Sequence, residues 1–458
     1  MGRVVEMPLW ALIVLVAFAA VTFASHFLFP SVRWFFRRRL ERVVAQINTR
    51  LERPIEPFRL ARRHDMIQRL CYDPEVLRAV SAHARKEGIP ESVAFEHARR
   101  YAREIVPSFS ASLYFGVATR VAKLLGQSLY RVRLEHLDAD ALRAISPEAT
   151  VVFVMNHRSN MDYVLVTWLA ADRSALSYAV GEWAQVWPLS AMIRATGAYF
   201  IRRRNQGELY RRVLARYVGM ATDGGVTQAI FPEGGLSLDG GLQPPRKGLL
   251  RYIVEERSPG ARDVVFVPVA LNYDRVFEDR LLVAAGQSGE RRFPARIPAI
   301  VRFVLRQVRL WLAGREHRHG HAAVHFGAPL SLEAFRQSHP EAGIAGLAGE
   351  LMARIGRSMP VLPVPLVARA LIAAGGARER AALATDLAAM IAALPGANAC
   401  LPQGDCREAA QAGLRMLCAR GLVAQERGQV RIVPGQEEMV AFYARSIAHL
   451  FADAAENS

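Results

Sequence analysis

The stretch Thr150–Tyr163 (TVVFVMNHRSNMDY) joins a short apolar run to a polar turn, and it decides the fold. Thr150–Met155 has the β-branched, apolar pattern of a strand buried on both faces. His157 and Asp162 follow it five positions apart, a spacing that sets two side chains about 140° apart on one regular helix. They can meet only where a strand turns into the start of a helix. The stretch therefore predicts a strand–turn–helix unit with a His–Asp pair in its turn.

Residues 146–345 continue this alternation of β-branched runs and helical patterns. The further strand candidates are Leu176–Val180, Ala198–Ile201, Thr227–Phe231 and Val264–Leu271, and the main helix candidates are Glu208–Thr222 and Gly248–Glu256. This order predicts an α/β domain with a mixed, largely parallel sheet and flanking helices. Ligands of such sheets bind beyond the carboxyl ends of the strands. Pro268, inside the last candidate, predicts an edge strand or a bulge.

The N-terminal segment has the composition of a membrane anchor. Residues 8–29 contain no Asp, Glu, Lys or Arg, and their number is close to the 20 or so that cross a bilayer as a helix. Arginines are abundant directly after this segment, so the positive-inside rule predicts that the rest of the chain is cytoplasmic. A signal peptide is the alternative. The predicted location is a bacterial inner (cytoplasmic) membrane, with the catalytic domain on its cytoplasmic side.

The predicted organisation has four parts, and two further stretches are ambiguous. The parts are a transmembrane anchor (8–29), a helical region (31–145), the α/β domain (146–345) and a mainly helical C-terminal domain (346–458). Residues 112–129 and 300–312 have amphipathic patterns, which fit either packing on the core or contact with lipid.

The composition restricts the classes of partner. The chain of 458 residues has a net charge of +17 and a pI near 10.4, which favours a phospholipid surface, nucleic acid or a phosphorylated substrate. A helix followed by a hairpin pattern at 407–434 resembles a winged helix and keeps a nucleic-acid-binding protein as an alternative of a different class. The four cysteines show no zinc-ligand spacing. The histidines at 317, 319 and 321 alternate in a stretch that reads as a polar loop, which is weak evidence for a metal.

The predicted turn after Thr150–Met155 offers acid–base chemistry. Asp162 can accept a hydrogen bond from one ring nitrogen of His157 and so fix its tautomer, which leaves the other nitrogen free to take a proton from a substrate hydroxyl. The alternative is a histidine that only caps its own loop. Ser159 is the other candidate nucleophile, but no G-x-S-x-G motif surrounds it.

Three other polar segments leave strand candidates or open a helix. Arg202 and Arg203 follow Ala198–Ile201, where guanidinium groups suit a phosphate; a solvated charge run is the alternative. Glu233 enters the same cleft if its strand neighbours that of His157. Gly234 and Gly235, beside Glu233, permit positive φ. Arg246 and Lys247 begin the next helix, where an anion can bind.

Four segments, in this order, resemble the glycerophospholipid acyltransferase family. They are NHRSNMDY (156–163), GAYFIRR (197–203), FPEGGLS (231–237) and, more loosely, VPVALNYD (267–274). The likeness is greatest to the branch of glycerol-3-phosphate and dihydroxyacetone-phosphate acyltransferases, and Pro360–Leu371 and Phe442–Leu450 resemble it as well.

The resemblance implies a role for each matching position. His157 is implied as the general base, Asp162 as its partner, and Arg202 and Arg203 as ligands of the acceptor phosphate. Glu233, Gly234 and Gly235 fall on the third block, and Arg246 replaces a lysine of the branch.

The implied reaction is acyl transfer to the sn-1 hydroxyl of glycerol 3-phosphate in phospholipid biosynthesis. The implied co-substrate is acyl-CoA or acyl carrier protein, with no cofactor and no metal, and the other implied partner is an anionic phospholipid membrane rather than nucleic acid. The branch has arginines where this sequence has Leu236 and Leu238. Lysophosphatidate and dihydroxyacetone phosphate therefore remain as alternative acceptors.

Overall fold

The computed structural model describes most of the chain. The described residues are 8–10, 12–17, 44–51, 53–136, 138–171, 174–181, 185, 189–202, 207–289, 309, 319–394 and 406–451. The chain forms two compact units, Met1–Ile55 and Glu56–Ser458. In the first, the described helical residues are 9–10, 12–17 and 44–48.

The second unit is built on a mixed sheet, which has eight strands among the described residues. Its strands are β1 (Arg131–His136), β2 (Thr150–Met155), β3 (Ser177–Gly181), β4 (Tyr199–Ile201), β5 (Gln228–Ile230), β6 (Val264–Tyr273), β7 (His321–Phe326) and β8 (Leu330–Ser331). Their order is β1-β7-β6-β2-β5-β3-β4, and β8 pairs with β6. The strands from β6 to β4 run parallel, whereas β7 is antiparallel to β6.

The strands proposed from the sequence in this sheet are confirmed, with shifts of one or two residues at their ends. Every residue of β2 and of β6 is buried, as continuous apolar runs in a helix-covered parallel sheet require. Because β2, β5, β3 and β4 are parallel neighbours, their carboxyl ends lie along one edge. The segments after β2, β5 and β4 therefore share that edge, as expected.

Besides the two-residue β8, two strands of this sheet were not anticipated. β1 lies inside the region predicted as helical (31–145), and its pairing partner is β7. β7 begins at His321, which the sequence placed in a polar loop, yet every residue of β7 is buried. Their short runs carry charged or histidine residues between apolar ones, and the sheet, rather than local propensity, determines their conformation.

The edge-strand alternative for Pro268 is wrong, because β6 lies between β2 on one side and β7 with β8 on the other. Pro268 falls between the β6 residues that pair with β7 (269–273) and those that pair with β8 (265–266). Its carbonyl accepts from the Gly327 amide at 2.9 Å on that same side. The missing N–H therefore faces a gap in the ladder, where no partner strand needs it.

Helices cover the sheet and supply the C-terminal region. They are α1 (Pro57–Leu60), α2 (Arg63–Cys71), α3 (Pro74–Glu87), α4 (Glu91–Ile105), α5 (Ala111–Leu113), α6 (Thr119–Leu129), α7 (Ala139–Arg143), α8 (Met161–Leu169), α9 (Leu189–Ala195), α10 (Glu208–Asp223), α11 (Gly248–Glu255), α12 (Asp279–Ser288), α13 (Leu332–Ser338), α14 (Gly343–Arg357), α15 (Pro363–Ala373), α16 (Arg380–Ala392), α17 (Cys406–Ala419) and α18 (Glu437–Arg445). A π-helical turn, Tyr114–Ala118, joins α5 to α6, and a 3₁₀ turn follows α18 at Ala448–Phe451.

The predicted C-terminal hairpin is confirmed as β10 (Val423–Glu426) and β11 (Gln429–Ile432). It does not stand alone, because β11 also pairs with β9 (Ala377–Glu379) in a small antiparallel sheet. The mainly helical character of the C-terminal region is confirmed too.

Of the predicted anchor, residue 11 and residues 18–29 lie outside the described part of the chain. Within the part that is described, no helix combines the length and apolarity needed to cross a bilayer. The amphipathic stretch 300–312 is likewise outside the described residues, apart from residue 309.

Candidate active site

The turn between β2 and α8 brings the predicted His–Asp pair into contact. β2 ends at Met155, α8 begins at Met161, and Nδ1 of His157 lies 2.9 Å from Oδ2 of Asp162. Both side chains are buried, with 4% and 0% of their surfaces exposed. The five-residue spacing thus works as expected, because the carboxylate sits in the first turn of a helix and the imidazole just after a strand.

Both oxygens of the Asp162 carboxylate accept hydrogen bonds. Oδ2 also accepts the backbone amides of Arg158 at 2.7 Å and Ser159 at 3.0 Å, and Oδ1 accepts the Tyr273 hydroxyl at 2.5 Å. Such donors favour the charged carboxylate even without solvent. An ionised Asp162 in turn requires a proton on Nδ1 of His157, which makes Nε2 the acceptor nitrogen in the neutral ring.

Aromatic rings fix the plane of the His157 imidazole. Phe231 stacks on it with a centroid distance of 4.1 Å, and Tyr163 meets it edge-on at 5.4 Å. No hydrogen bond to Nε2 of His157 is found from any of the residues that the structure describes. This nitrogen is therefore available to a substrate hydroxyl.

Glu233, which follows the neighbouring strand β5, hydrogen-bonds to the same turn. β5 pairs directly with β2, and Oε1 of Glu233 accepts the backbone N–H of His157 at 3.2 Å. Burial raises the pKa of Glu233 to about 8, against the opposing effect of that hydrogen bond. Glu233 is therefore largely protonated near neutral pH.

The two cations after the third block lie at the surface beside it. Gly234 has φ +68°, and a side chain there would meet Cδ of Arg246 at 2.6 Å. The Arg246 amide donates to the Pro232 carbonyl at 2.7 Å. Arg246 thus passes over the glycine turn next to Glu233, and it and Lys247 are exposed at the start of α11.

Arg202 lies at the predicted edge of the sheet, but its guanidinium is already paired with a carboxylate. Its guanidinium makes a two-pronged ion pair with Glu104 of α4, with N···O distances of 2.7, 2.9 and 3.1 Å. These hydrogen bonds raise the pKa of Arg202. Three strand spacings, about 14 Å, separate β4 from β2, so the structure does not bring Arg202 next to His157. Arg203 lies outside the described residues.

Several contacts at the site were not predicted. Tyr273, in the fourth block, donates to Asp162. Glu278 holds the Ser159 hydroxyl at 2.7 Å and the Asn160 amide at 3.1 Å. Arg158 carries a buried guanidinium that donates to the Gly240 carbonyl. Tyr273 and Arg158 had a sequence signal, because each lies in a recognised block. Glu278 had none, and its contacts depend on a chain segment that is distant in sequence.

Four backbone amides near the site, of the kind that can stabilise an oxyanion, already have acceptors. The amides of Arg158 and Ser159 donate to Asp162, and those of Gly234 and Ser237 donate to the carbonyls of Phe231 and His157. Nε and Nη2 of Arg158 are buried without a hydrogen-bond partner among the described residues.

Two of the three histidines around 319 are described, and His321 begins strand β7. Nδ1 of His321 lies 2.9 Å from Oδ2 of Asp274, and burial lowers the pKa of His319 to about 4; residue 317 is outside the described part. No cluster of three His, Cys, Asp or Glu able to hold a metal occurs among the residues for which the structure gives positions.

Comparison with known proteins identifies two regions. Residues 135–272 match the acyltransferase family model, and residues 309–456 match the model of the glycerol-3-phosphate acyltransferase C-terminal region. The β2 turn, β5 and most of β6 fall within the first match.

Similar curated proteins share most of the chain. The glycerol-3-phosphate acyltransferase of Pseudomonas putida is 27% identical over 425 residues, which are 86% of this chain and 49% of the relative. That of Xylella fastidiosa is 26% identical over 443 residues, or 90% of this chain and 50% of the relative. The chain thus spans about half the length of these relatives.

A solved structure is also similar. The 1-acyl-sn-glycerophosphate (LPA) acyltransferase PlsC from Thermotoga maritima is 18% identical, with a TM-score of 0.30, and the match covers 53% of this chain and 79% of that one. The chain is thus similar to acyltransferases over residues 135–272 and to the C-terminal region of glycerol-3-phosphate acyltransferases over residues 309–456, and its curated relatives bear the latter name.

Proposed function

We propose that this chain is an O-acyltransferase that moves a fatty acyl group from acyl-CoA or acyl carrier protein to the sn-1 hydroxyl of glycerol 3-phosphate, in phospholipid biosynthesis. The observation that carries the proposal is the buried contact of 2.9 Å between His157 and Asp162. The names of the relatives, which are glycerol-3-phosphate acyltransferases, support the choice of acceptor.

The proposed mechanism uses His157 as a general base. Nε2 takes the proton of the acceptor hydroxyl while its oxygen attacks the thioester carbonyl, and Asp162 stabilises the imidazolium that forms. The tetrahedral intermediate then collapses, the C–S bond breaks, and the leaving thiolate takes the proton from His157. The residues of this chain perform the proton transfers, and no cofactor enters these steps.

The cations near the third block suit the acceptor phosphate. Arg246 and Lys247 are exposed beside Glu233, and a guanidinium fork matches phosphate oxygens. We therefore assign them to the acceptor site, together with Arg202 at the far end of the edge and Arg203, the next residue in the sequence. Release of Arg202 from Glu104 is then part of substrate binding. Lysophosphatidate and dihydroxyacetone phosphate are the alternative acceptors, because Leu236 and Leu238 stand where the branch has arginines.

We further propose that the enzyme works at the cytoplasmic face of a bacterial inner membrane. Helix α6 and the turn before it expose Val117, Val121 and Leu124 by 50%, 47% and 44%, with Arg120 and Lys123 among them and also exposed. An apolar stripe flanked by cations fits an anionic phospholipid surface. The net charge of +17 supports the same partner.

The test is an acceptor panel with purified protein. Glycerol 3-phosphate, dihydroxyacetone phosphate and lysophosphatidate are each offered with acyl-CoA or acyl carrier protein, and the acylated products are separated by mass. We expect lysophosphatidate from glycerol 3-phosphate. Replacing His157 by Ala should abolish product formation, whereas His64→Ala, at an exposed position, should not. Full activity of a folded His157→Ala protein would contradict the mechanism, and a better product yield from another acceptor would correct the substrate.

A further inference from the structure

The loop that presents His157 is held from outside by an acidic residue that the mechanism does not use. Oε2 of Glu278 accepts the Ser159 hydroxyl at 2.7 Å, and Oε1 accepts both the backbone and the side-chain amide of Asn160, at 3.1 and 2.9 Å. The Ser159 hydroxyl in turn accepts the Met161 amide at 3.1 Å. Glu278 thus fixes the short loop between β2 and α8.

This loop determines the geometry of the proposed catalytic pair. The amides of Arg158 and Ser159 donate to the same Asp162 oxygen that faces His157. A shift of the loop would therefore move the carboxylate, the imidazole or both. Misplacement by about 1 Å is enough to reduce catalysis by two orders of magnitude.

The next residue, Asp279, is held by the C-terminal region. Its Oδ2 accepts the hydroxyl of Tyr443 in α18 and a guanidinium N–H of Arg420, which follows α17. The Tyr443 hydroxyl also accepts the Val276 amide at 3.2 Å and Arg420 at 2.9 Å. The Arg420 and Asp279 side chains are only 10% and 6% exposed, so this network is desolvated and geometrically restricted.

A second contact of α18 reaches the loop directly. The buried guanidinium of Arg158 lies 5.4 Å from the centre of the Phe442 ring and donates to the Gly240 carbonyl. Gly240 has φ +87°, and a side chain there would collide with the Phe442 backbone. Adjacent residues of one helix, Phe442 and Tyr443, thus support the two sides of the catalytic loop.

We propose that Glu278 is a positioning residue for the His157–Asp162 pair, and that Tyr443, acting through Asp279, makes helix α18 of the C-terminal region a support of the active site. The inference rests on the proposed acyl transfer. It assigns the C-terminal region the task of holding the catalytic loop in its reactive geometry.

The first test separates positioning from substrate binding. We expect Glu278→Ala to lower kcat about ten- to hundredfold, the range for loss of a charge-assisted hydrogen bond, with little change in KM. Glu278→Gln should restore most of kcat, because its amide can still accept from Asn160 and donate to the Ser159 hydroxyl. An Ala variant with the kcat of the unaltered protein would overturn the proposal.

The second test addresses the connection to α18 with a milder change. Tyr443→Phe keeps the packed ring and removes only the hydroxyl, so the protein should fold. It should lower kcat several-fold, whereas Tyr72→Phe, whose residue is 62% exposed, should not. In the double variant with Glu278→Ala, kcat should be no lower than in Glu278→Ala alone, because the two act in series. Multiplying losses would overturn the connection.

A third measurement needs no substrate and so distinguishes this inference from the proposed reaction. In protein labelled with ¹⁵N-histidine, the ring nitrogen shifts of His157, assigned with His157→Ala, should move in both Glu278→Ala and Tyr443→Phe and stay fixed in Tyr72→Phe. Unmoved shifts would overturn the positioning role. A lack of acyl transfer by the unaltered protein, with shifts that move as expected, would overturn only the proposed function.

Discussion

At the scale of single residues, the site is organised around a carboxylate rather than around the histidine. Asp162 receives hydrogen bonds from the His157 ring, from two loop amides and from Tyr273. The sequence indicated the first of these partners, because it is local. The phenol of Tyr273 comes from another strand, 111 positions away, and only the pairing of β2 with β6 brings it there.

The hydrogen bonds of Asp162 lead to a graded prediction. Asp162→Asn removes the charge that stabilises the imidazolium, and kcat should fall by about 10² to 10⁴. Tyr273→Phe removes one donor and leaves the charge, so the loss should be about tenfold. Steady-state kinetics with saturating acyl donor measures both. Equal losses in the two variants would contradict the graded roles.

Glu233 leads to a prediction about stability and pH. Burial raises its pKa from 4.5 to about 8, so the folded protein holds this proton through a pH range in which the unfolded chain has lost it. The contribution of Glu233 to stability is therefore greatest below pH 4.5 and is lost as pH rises toward 8, by up to about 1.4 kcal/mol per pH unit. Glu233→Gln has no proton to lose and should gain stability relative to the unaltered protein across this range.

Urea denaturation at pH 5.5 and pH 8 measures that difference in the free energy of unfolding. Glu350→Gln is the control. Burial acts to raise the pKa of this surface carboxyl, but the hydrogen bond and the charge of Arg354 lower it overall. The control should therefore not show the same gain. A Glu233→Gln protein that loses stability relative to the unaltered chain as pH rises would contradict the raised pKa.

At the scale of elements, close approach of backbones fixes how helices cover the sheet. Gly219 of α10 leaves no room for a side chain, because a Cβ there would lie 2.5 Å from the carbonyl oxygen of Glu256 at the end of α11. Gly349 of α14 has no atom within 4 Å of the same position. Two helical glycines that are alike in sequence therefore have opposite structural roles.

The prediction from this pair is a difference of sign. Gly219→Ala should lower the free energy of unfolding by about 1–3 kcal/mol, because the neighbouring backbone has to move. Gly349→Ala should raise it by about 0.5–1 kcal/mol, since alanine is the better helix former and nothing is displaced. Chemical denaturation of the two variants provides the comparison. Stabilisation by both would show that α10 and α11 are further apart than described.

At the scale of the whole second unit, buried polar links join the sheet to the C-terminal helices. Asp274 directly follows β6. Its Oδ2 accepts the backbone N–H of His321 at 2.8 Å and lies 2.9 Å from Nδ1 of the His321 ring. Its Oδ1 accepts the Val364 amide of α15 at 2.9 Å. This link lies in the same part of the chain as Glu278 and Asp279. It connects β6, β7 and the proline-rich start of α15.

Breaking this link should loosen the C-terminal helices. Asp274→Ala leaves the Val364 and His321 amides buried without acceptors, a cost of about 1–3 kcal/mol for each. We expect faster amide hydrogen exchange in α15 and α18, with smaller changes in α3 and α4. Asp386→Ala, which removes an exposed partner of Arg378, is the control. Unchanged exchange in α15 would contradict a linking role for Asp274.

The sequence by itself determined what depends on local pattern. It predicted the strand–turn–helix unit of His157 and Asp162, the strand before Glu233, the α/β class and the C-terminal hairpin, because apolar period and turn residues act over a few positions. Only the tertiary structure decided that β1 and β7 are strands, that Pro268 lies in an interior strand, and that Arg202 pairs with Glu104. It also decided that Tyr443 reaches Asp279 across 164 positions. Such contacts depend on which segments the sheet and its covering helices bring together, and no local pattern encodes that.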